Sequence, residues 1–222
     1  MNEIILPKAV LWDLDGTLID QTTSIIECYT EVISSLGYTR PDPNQIRRSL
    51  GEPMISTMQL FVEAEHLEDS CKIFRKRFPE MMLEDLIVLP GAEKLVKWFA
   101  DRDIPQAILT NKHGETARMI SNHLGFSKNI SICIGNEDTA WNKPQPELTN
   151  YVLKLLKCSV DAVIVIGDSP TDIKTAKLAG ILCHCVSTGA HSIEELHYAG
   201  AVTAHQSLEQ LSAIFESISS SN

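Results

Sequence analysis

The chain has 222 residues, of which 44% are hydrophobic and 22% are charged; these proportions are typical of globular proteins and exclude wholesale disorder, collagen and coiled coil. Nineteen Lys and Arg residues against 29 Asp and Glu residues give a formal net charge of −10, which argues against nucleic acid or an anionic membrane surface as the main partner. The length indicates one large domain, or a main domain that carries a smaller insertion.

The sequence also bears on cellular location. No apolar run reaches the roughly 18 residues of a membrane-spanning helix, and residues 1–8 lack the basic and apolar segments of a secretory signal. We therefore expect a cytoplasmic protein. Cys183-His184-Cys185 raises the possibility of a metal site, but only two of the three residues share a strand face, so a buried strand is the preferred interpretation. The oligomeric state is left open.

Short apolar runs alternate with helical segments along most of the chain. The apolar runs predict strands at residues 9–12, 106–109, 130–134, 162–166 and 182–186. Between them, periodic apolar stretches predict helices at residues 92–101, 116–124, 146–157 and 171–179. This alternation predicts an α/β protein with a doubly wound, Rossmann-like parallel sheet.

Residues 20–86 interrupt this alternation. They contain helical stripes but no strand-like run, and they are too many for an ordinary loop. The first of these stripes predicts a helix that begins at Ser24, with Glu27 completing a capping box. We predict a helical cap domain over residues 20–86, inserted into a catalytic core formed by residues 1–19 and 87–222.

Polar side chains follow the predicted strands, at the point where each strand ends. They are Asp13 and Asp15 after the first strand, Thr110 and Asn111 after the second, and Asp168, Ser169 and Asp172 after the fourth, with Lys143 before the helix that follows the third. Ligands of open α/β sheets bind beyond the carboxyl ends of the strands, so we expect these side chains to meet. Carboxylates, an ammonium and a hydroxyl make a Mg²⁺ and phosphate site. A single aspartate could instead cap a helix, but the shared position at strand ends favours a site.

Four segments resemble, in the same order, the motifs of the haloacid dehalogenase superfamily. They are Asp13-Leu14-Asp15-Gly16-Thr17, Leu109-Thr110-Asn111, Lys143-Pro144-Gln145-Pro146 and Gly167-Asp168-Ser169-Pro170-Thr171-Asp172. The place of the insertion resembles the subfamily with a small helical cap, and Thr110-Asn111-Lys112 is similar to the phosphoglycolate phosphatase branch. The resemblance covers nearly the whole chain and implies a Mg²⁺-dependent phosphatase that acts on a small phosphorylated metabolite.

The resemblance implies a role for each of the two aspartates of the first motif. Asp13 would attack phosphorus and become an aspartyl-phosphate, and Asp15 would be the general acid for the leaving alcohol and then the general base for water. In an extended chain, side chains two residues apart lie on one face about 7 Å apart, which leaves room for a phosphoryl group between them. Mg²⁺ would be bound by the carboxylates of Asp13 and Asp168 and by the backbone carbonyl of Asp15.

The other motif residues would surround the phosphate. Gly16, Thr110, Asn111 and Lys143 are the predicted phosphate-binding residues, and Lys143 would bridge the nucleophile and the phosphate. Asp172 would support Lys143 or a water on the metal, and Ser169 would assist it or simply begin a helix.

In the insertion and at its start, the candidate substrate contacts are Asp20, Arg47 and Arg48. Each of these residues could equally lie on a solvated helix face or cap a helix.

Three alternatives stay open at this point. A sugar phosphomutase similar to β-phosphoglucomutase would use the same residues and pass the phosphoryl group to a second hydroxyl instead of water. A receiver-type phospho-accepting module also clusters Asp, Thr and Lys on an α/β sheet, but its residues occur in another order and its chain is shorter. A binding protein on a decayed enzyme fold would not be expected to keep Asp13, Asp15, Lys143 and Asp168 together.

Overall fold

The computed structural model describes residues 6–219, so residues 1–5 and 220–222 of the predicted core lie outside the described residues. The strands are β1 (Ala9–Trp12), β2 (Ile19–Asp20), β3 (Ile87–Val88), β4 (Gln106–His113), β5 (Ile132–Asn136), β6 (Val163–Gly167), β7 (Leu182–Val186) and β8 (Thr203–His205). The helices are α1 (Thr22–Ser35), α2 (Pro43–Ser49), α3 (Met54–Met58), α4 (Ala64–Arg77), α5 (Ala92–Ala100), α6 (Gly114–His123), α7 (Pro146–Leu156), α8 (Pro170–Ala179), α9 (Ile193–Ala199) and α10 (Leu208–Ser219).

Within the described residues, six parallel strands form one sheet in the order β5-β4-β1-β6-β7-β8. The chain builds β4 and β5 on one side of β1, then crosses to build β6, β7 and β8 on the other. The strand order therefore reverses at β1, and in such sheets the crevice beyond the carboxyl ends at this point receives the ligand. The predicted doubly wound sheet is confirmed.

The central strands are buried on both faces, which is why they read as unbroken apolar runs. Every residue of β1 and β6 is buried, as expected for parallel strands covered by helices on both sides. The bounds of β1 and β7 match the prediction, whereas β4 extends to His113, four residues beyond the predicted end at Leu109. The extension was not predicted because these residues are polar.

Residues between β2 and β3 are helical, as the interrupted pattern predicts. The two short strands pair antiparallel, Ile19 with Val88 and Asp20 with Ile87, and so bring the two ends of the insertion together. Strands β2 and β3 were not predicted because a run of two residues is too short to show an alternating pattern. Helix α1 begins at Thr22 and not at Ser24, because the Ser24 hydroxyl donates to the carbonyl of Glu84 (2.9 Å) instead of capping the helix.

The insertion packs on the rest of the protein through one continuous apolar cluster. Trp12 of β1 and Phe99 of α5 belong to the same cluster as Ile33 of α1 and Phe74 of α4. The helices of the insertion are therefore held against the sheet by buried apolar surface. None of the helices within residues 6–219 is long and apolar enough to span a membrane.

The Cys183-His184-Cys185 segment is buried in strand β7. The sulfurs of Cys183 and Cys185 lie 3.5 Å apart on one face, while His184 points the other way and its Nδ1 is 2.9 Å from the hydroxyl of Thr203. Burial lowers the pKa of His184 to about 4, and nearby His205 contributes to the shift.

The buried histidine predicts a pH-dependent stability. Below the ordinary histidine pKa of about 6.5 the unfolded chain binds a proton at this position that the folded protein does not bind. The free energy of unfolding should therefore fall between pH 6.5 and pH 4, and His184 should contribute up to about 1.4 kcal/mol per pH unit to that slope. Urea denaturation across this range should show a shallower slope for His184→Asn than for the wild type. The control His123→Asn, on the exposed end of α6, should keep the wild-type slope; equal slopes in all three proteins would contradict the prediction.

Candidate active site

The predicted site residues meet at the carboxyl ends of the central strands. Asp13 follows β1, Thr110 and Asn111 lie in β4, and Asp168 follows β6. Beyond them, between the sheet and the insertion, is a cleft that Asp13 and Thr110 line. Clefts at this edge of an α/β sheet are where small molecules bind.

A buried ammonium joins two of the aspartates. Lys143 Nζ lies 2.6 Å from Asp13 Oδ1 and 2.7 Å from Asp172 Oδ1, and all three side chains are almost fully buried. Burial raises the pKa of Asp13 to about 6, although Lys143 opposes the rise and Asp172 adds to it. Burial by itself would lower the pKa of Lys143, but the two carboxylates outweigh that effect and raise it. Lys143 is therefore a permanent cation beside Asp13.

The start of α8 orients Asp172. Its Oδ2 accepts hydrogen bonds from the Ser169 hydroxyl (2.6 Å) and from the backbone N–H groups of Asp168 and Ser169 (3.2 and 3.1 Å). The Ser169 hydroxyl in turn accepts from the backbone N–H of Asp172, which completes a capping box. Ser169 thus begins the helix and also holds Asp172 in the position from which it contacts Lys143.

The carboxylate of Asp168 is held by close backbone approach. It accepts a hydrogen bond from the Thr17 hydroxyl (3.0 Å). A Cβ atom would lie 1.8 Å from Asp168 Oδ2 at Gly189 and 2.5 Å from it at Gly16, so a side chain at either position would displace the Asp168 carboxylate. Gly16 also has φ of +85°, a conformation that glycine adopts without strain. The pKa of Asp168 is well above its usual range because the group is buried and faces Asp13 and Asp172.

Three carboxylates form the one acidic cluster of metal-ligating geometry among the described residues. Asp13, Asp168 and Asp172 each offer an oxygen, and these oxygens lie within 4.8 Å of one another. All three are buried, and their repulsion is balanced by a single ammonium. Buried charges need compensation, and an all-oxygen donor set suits Mg²⁺. The residues therefore fit a hard divalent cation.

Asp15 stands apart from this cluster. Its carboxylate oxygens lie 3.1 and 3.0 Å from Lys112 Nζ, and both residues line the cleft. Lys112 Nζ is also 4.8 Å from the centre of the Phe78 ring. The side chain of Asp15 is thus directed into the cleft next to Asp13 without contributing to the acidic cluster.

Asn111 connects the lysine segment to the insertion. Its amide nitrogen donates to the carbonyls of Lys143 (3.2 Å) and Gly51 (2.9 Å), and its oxygen accepts from the backbone N–H of Lys143 (3.0 Å). The amide is therefore occupied by protein contacts. The Thr110 hydroxyl accepts a bond from the backbone N–H of Lys112 (3.2 Å), which leaves its own proton to donate.

The three candidate substrate contacts lie outside the set of described residues that line the cleft. Asp20 Oδ1 accepts from the backbone N–H of Thr22 (2.9 Å) at the start of α1. Arg48 donates to both carboxylate oxygens of Glu195 (3.1 and 2.7 Å) and to a backbone carbonyl (2.7 Å), and the arginine lowers the pKa of Glu195 to about 2. Arg47 is exposed in the last turn of α2.

The other wall of the cleft is not predicted from the sequence. It is made by side chains of the insertion, among them Tyr29, Phe74 and Phe78, together with Arg75, which pairs with Glu137 just after β5. The aromatic residues lie on the apolar stripes of helices, and the spacing of such a stripe does not indicate that one of its edges faces a cleft.

The motif geometry and the fold agree with a family comparison. A model of the haloacid dehalogenase-like hydrolases matches residues 10–186. The chain belongs to this family. This hydrolase is 29% identical over 217 residues to a phosphoglycolate phosphatase from Rhodospirillum rubrum, covering 93% of this chain and 90% of the relative. It is 27% identical over 223 residues to a phosphorylated carbohydrates phosphatase from Thermotoga maritima, covering 94% and 99%.

A solved structure shows the same fold. A predicted phosphatase from Clostridium acetobutylicum superposes with a TM-score of 0.87 at 22% identity, covering 96% of this hydrolase and all of that chain. The predictions of a haloacid dehalogenase-like α/β enzyme, of a phosphatase and of similarity to the phosphoglycolate phosphatases are confirmed. The non-enzymatic receiver and binding alternatives are set aside by this membership.

The buried lysine predicts a large effect of its removal on stability. Lys143→Met should lower the free energy of unfolding by about 3–5 kcal/mol at pH 8 in chelator, because two buried carboxylates lose their cation. Part of the lost free energy of unfolding should be recovered at pH 5, where protonation of the buried carboxyl groups removes negative charge. The control Lys72→Met breaks a pair with Glu68 whose partners are 60% and 82% exposed and should cost much less, because water screens exposed ion pairs. Equal effects of the two substitutions in urea denaturation would show that the buried ammonium does not stabilise the carboxylates.

Proposed function

We propose that this phosphatase hydrolyses small phosphomonoesters in a Mg²⁺-dependent reaction through an aspartyl-phosphate on Asp13. One observation carries the proposal: Asp13 is a buried carboxylate that lines the cleft, 2.6 Å from a buried ammonium. A carboxylate attacks an anionic phosphate only when the repulsion between them is reduced. Lys143 supplies part of that reduction.

A divalent cation would supply the rest. Asp13 and Asp168 would hold it with their carboxylates and Asp15 with its backbone carbonyl, while Asp172 stays on Lys143. When bound, the ion neutralises charge on the phosphoryl oxygens and on the nucleophile. Mg²⁺ is proposed because the donor set is entirely oxygen.

Two displacements at phosphorus follow from the positions of Asp13 and Asp15. In the first, a bond forms between an Asp13 oxygen and phosphorus, the bond to the ester oxygen breaks, and Asp15 gives its proton to the leaving alcohol. In the second, Asp15 takes a proton from water as the water oxygen attacks phosphorus, and the bond to Asp13 breaks to release phosphate. Lys112 holds the Asp15 carboxylate in the cleft, where both proton transfers take place.

The remaining polar groups would stabilise the phosphoryl oxygens. Lys143 is positioned by Asn111 and Asp172, and Thr110 has a proton to donate. Gly16 lets the backbone after Asp15 turn next to Asp168 without a side chain in the way. Fixed donors of this kind stabilise a transition state without reorganisation.

We also propose that residues 20–86 act as a cap on a catalytic core formed by residues 1–19 and 87–222. The hydrogen bond from Asn111 to Gly51 and the contact between the Thr171 hydroxyl and the Glu52 carboxylate support this division, because they join the insertion to motif residues.

The cytoplasm remains the proposed location, since buried thiols such as those of Cys28 and Cys71 persist in a reducing compartment.

Replacing the nucleophile tests the covalent route. Asp13→Asn should reduce phosphate release from an aryl phosphate in Mg²⁺ by about 10⁴-fold or more, because an amide does not accept the phosphoryl group, and chelator should abolish wild-type release. Rapid quench with radiolabelled substrate should label the wild type and not the variant. Normal turnover by the variant would refute the aspartyl-phosphate, and isomerised sugar phosphate formed without release of phosphate would favour the mutase.

Replacing the acid and base separates the two steps. Asp15→Asn should lower turnover of alkyl phosphates by about 10²- to 10⁴-fold, because their alcohols need a proton in order to leave. With an aryl phosphate, whose phenol leaves without help, labelled Asp13 should accumulate because water lacks a base. The control Asp161→Asn, in the exposed loop before β6, should behave as the wild type. An Asp15→Asn protein with wild-type rates on both esters would remove Asp15 from the mechanism.

A further inference from the structure

The wall of the cleft that the insertion forms is mainly apolar. Six of its side chains are apolar, namely Ile25, Tyr29, Leu50, Met54, Phe74 and Phe78, and Glu52, Thr57 and Arg75 also line the cleft. The rings of Tyr29 and Phe74 are 4.5 Å apart, and those of Phe74 and Phe78 are stacked at 5.3 Å. The insertion thus presents a contiguous aromatic and aliphatic surface to the interior of the cleft.

This surface begins beside the proposed general acid. Lys112 Nζ lies 3.0 Å from Asp15 Oδ2 and 4.8 Å from the centre of the Phe78 ring. Because Asp15 would protonate the leaving oxygen, the carbon skeleton attached to that oxygen extends from Asp15 toward Phe78 and the apolar wall. Burial of carbon there is favourable in proportion to the area removed from water.

The lysine and the arginine that line the cleft are already paired with carboxylates. Lys112 pairs with Asp15, and Arg75 pairs with Glu137. A leaving group that carries its own carboxylate would have to break one of these pairs and would be repelled by the displaced acid. An uncharged leaving group incurs no such cost.

We propose that the substrate class of this phosphatase is the phosphomonoesters of uncharged alcohols with an apolar or aromatic body, in preference to those of hydroxy acids. The inference rests on the proposed function, since it concerns the leaving group of that reaction. It separates this chain from its relative in Rhodospirillum rubrum, whose name specifies phosphoglycolate.

A series of alkyl phosphates measures the contribution of the apolar wall. Ethyl, butyl and hexyl phosphate have leaving groups of similar acidity, so chemistry is held constant while buried carbon increases. We expect kcat/KM to rise about threefold to fourfold for each added methylene until the wall is covered. Propyl phosphate should also exceed phosphoglycolate, which is of similar size but carries a carboxylate. A flat or falling series, or a preference for phosphoglycolate, would overturn the proposal.

Two substitutions on α3 locate the effect. Met54 lines the cleft, whereas its neighbour Ile55 does not and is 45% exposed. Met54→Lys should flatten the alkyl series and raise kcat/KM for phosphoglycolate, because it replaces apolar surface with an unpaired cation. Ile55→Lys should leave the series unchanged. If both variants, or neither, changed the series, the wall would not be the determinant.

Releasing the paired arginine tests the charge argument independently. Glu137→Gln should raise kcat/KM for phosphoglycolate relative to propyl phosphate, since Arg75 is then available to a carboxylate. An unchanged ratio would overturn that part of the inference. The failure of the proposed function has a different signature: no ester, including an aryl phosphate, would release phosphate.

Discussion

The contact on which the site depends is the buried ammonium of Lys143 between Asp13 and Asp172. Without it, buried carboxylates would face one another with no compensating charge. The same contact that stabilises the fold also prepares Asp13 to meet an anionic phosphate, because the positive charge is already in place. Structure and proposed chemistry therefore share one electrostatic arrangement, to which a divalent cation would add further positive charge.

Around this contact, the backbone supplies the orientation. Glycines at positions 16 and 189 allow the backbone to approach the Asp168 carboxylate closely. Asp172 is held by the first turn of α8, and Lys143 is positioned by the amide of Asn111. The site is thus built from the ends of strands, the start of a helix and the segment before α7 that carries Lys143. Groups held by such contacts suit a reaction that is accelerated mainly by positioned charge.

The insertion forms the apolar wall on which the proposed preference among leaving groups depends. Its helices bury one face in the common apolar cluster and turn the edge of that face, with Phe74 and Phe78, to the cleft. The same residues therefore attach the insertion and, under the proposed specificity, would contact the leaving group. Arg48 with Glu195 and Arg75 with Glu137 add ion pairs between the insertion and the rest of the protein, so Arg48, a candidate substrate contact in the sequence, instead helps to hold the two parts together.

The sequence by itself determined the parallel sheet and the meeting of its polar strand ends, because a run buried on both faces must be apolar and parallel strands end on the same edge. It also predicted the positions of Asp13 and Asp168, which follow strands, and of Lys143, which precedes a helix. Only the tertiary structure decided the pairing of Asp15 with Lys112, the occupation of Arg48 by Glu195, and the apolar wall near Asp15. These contacts depend on how the insertion lies over the sheet. The spacing of apolar residues along a helix specifies which face of the helix is apolar. It does not specify which part of that face stays exposed after the helix has packed against other elements.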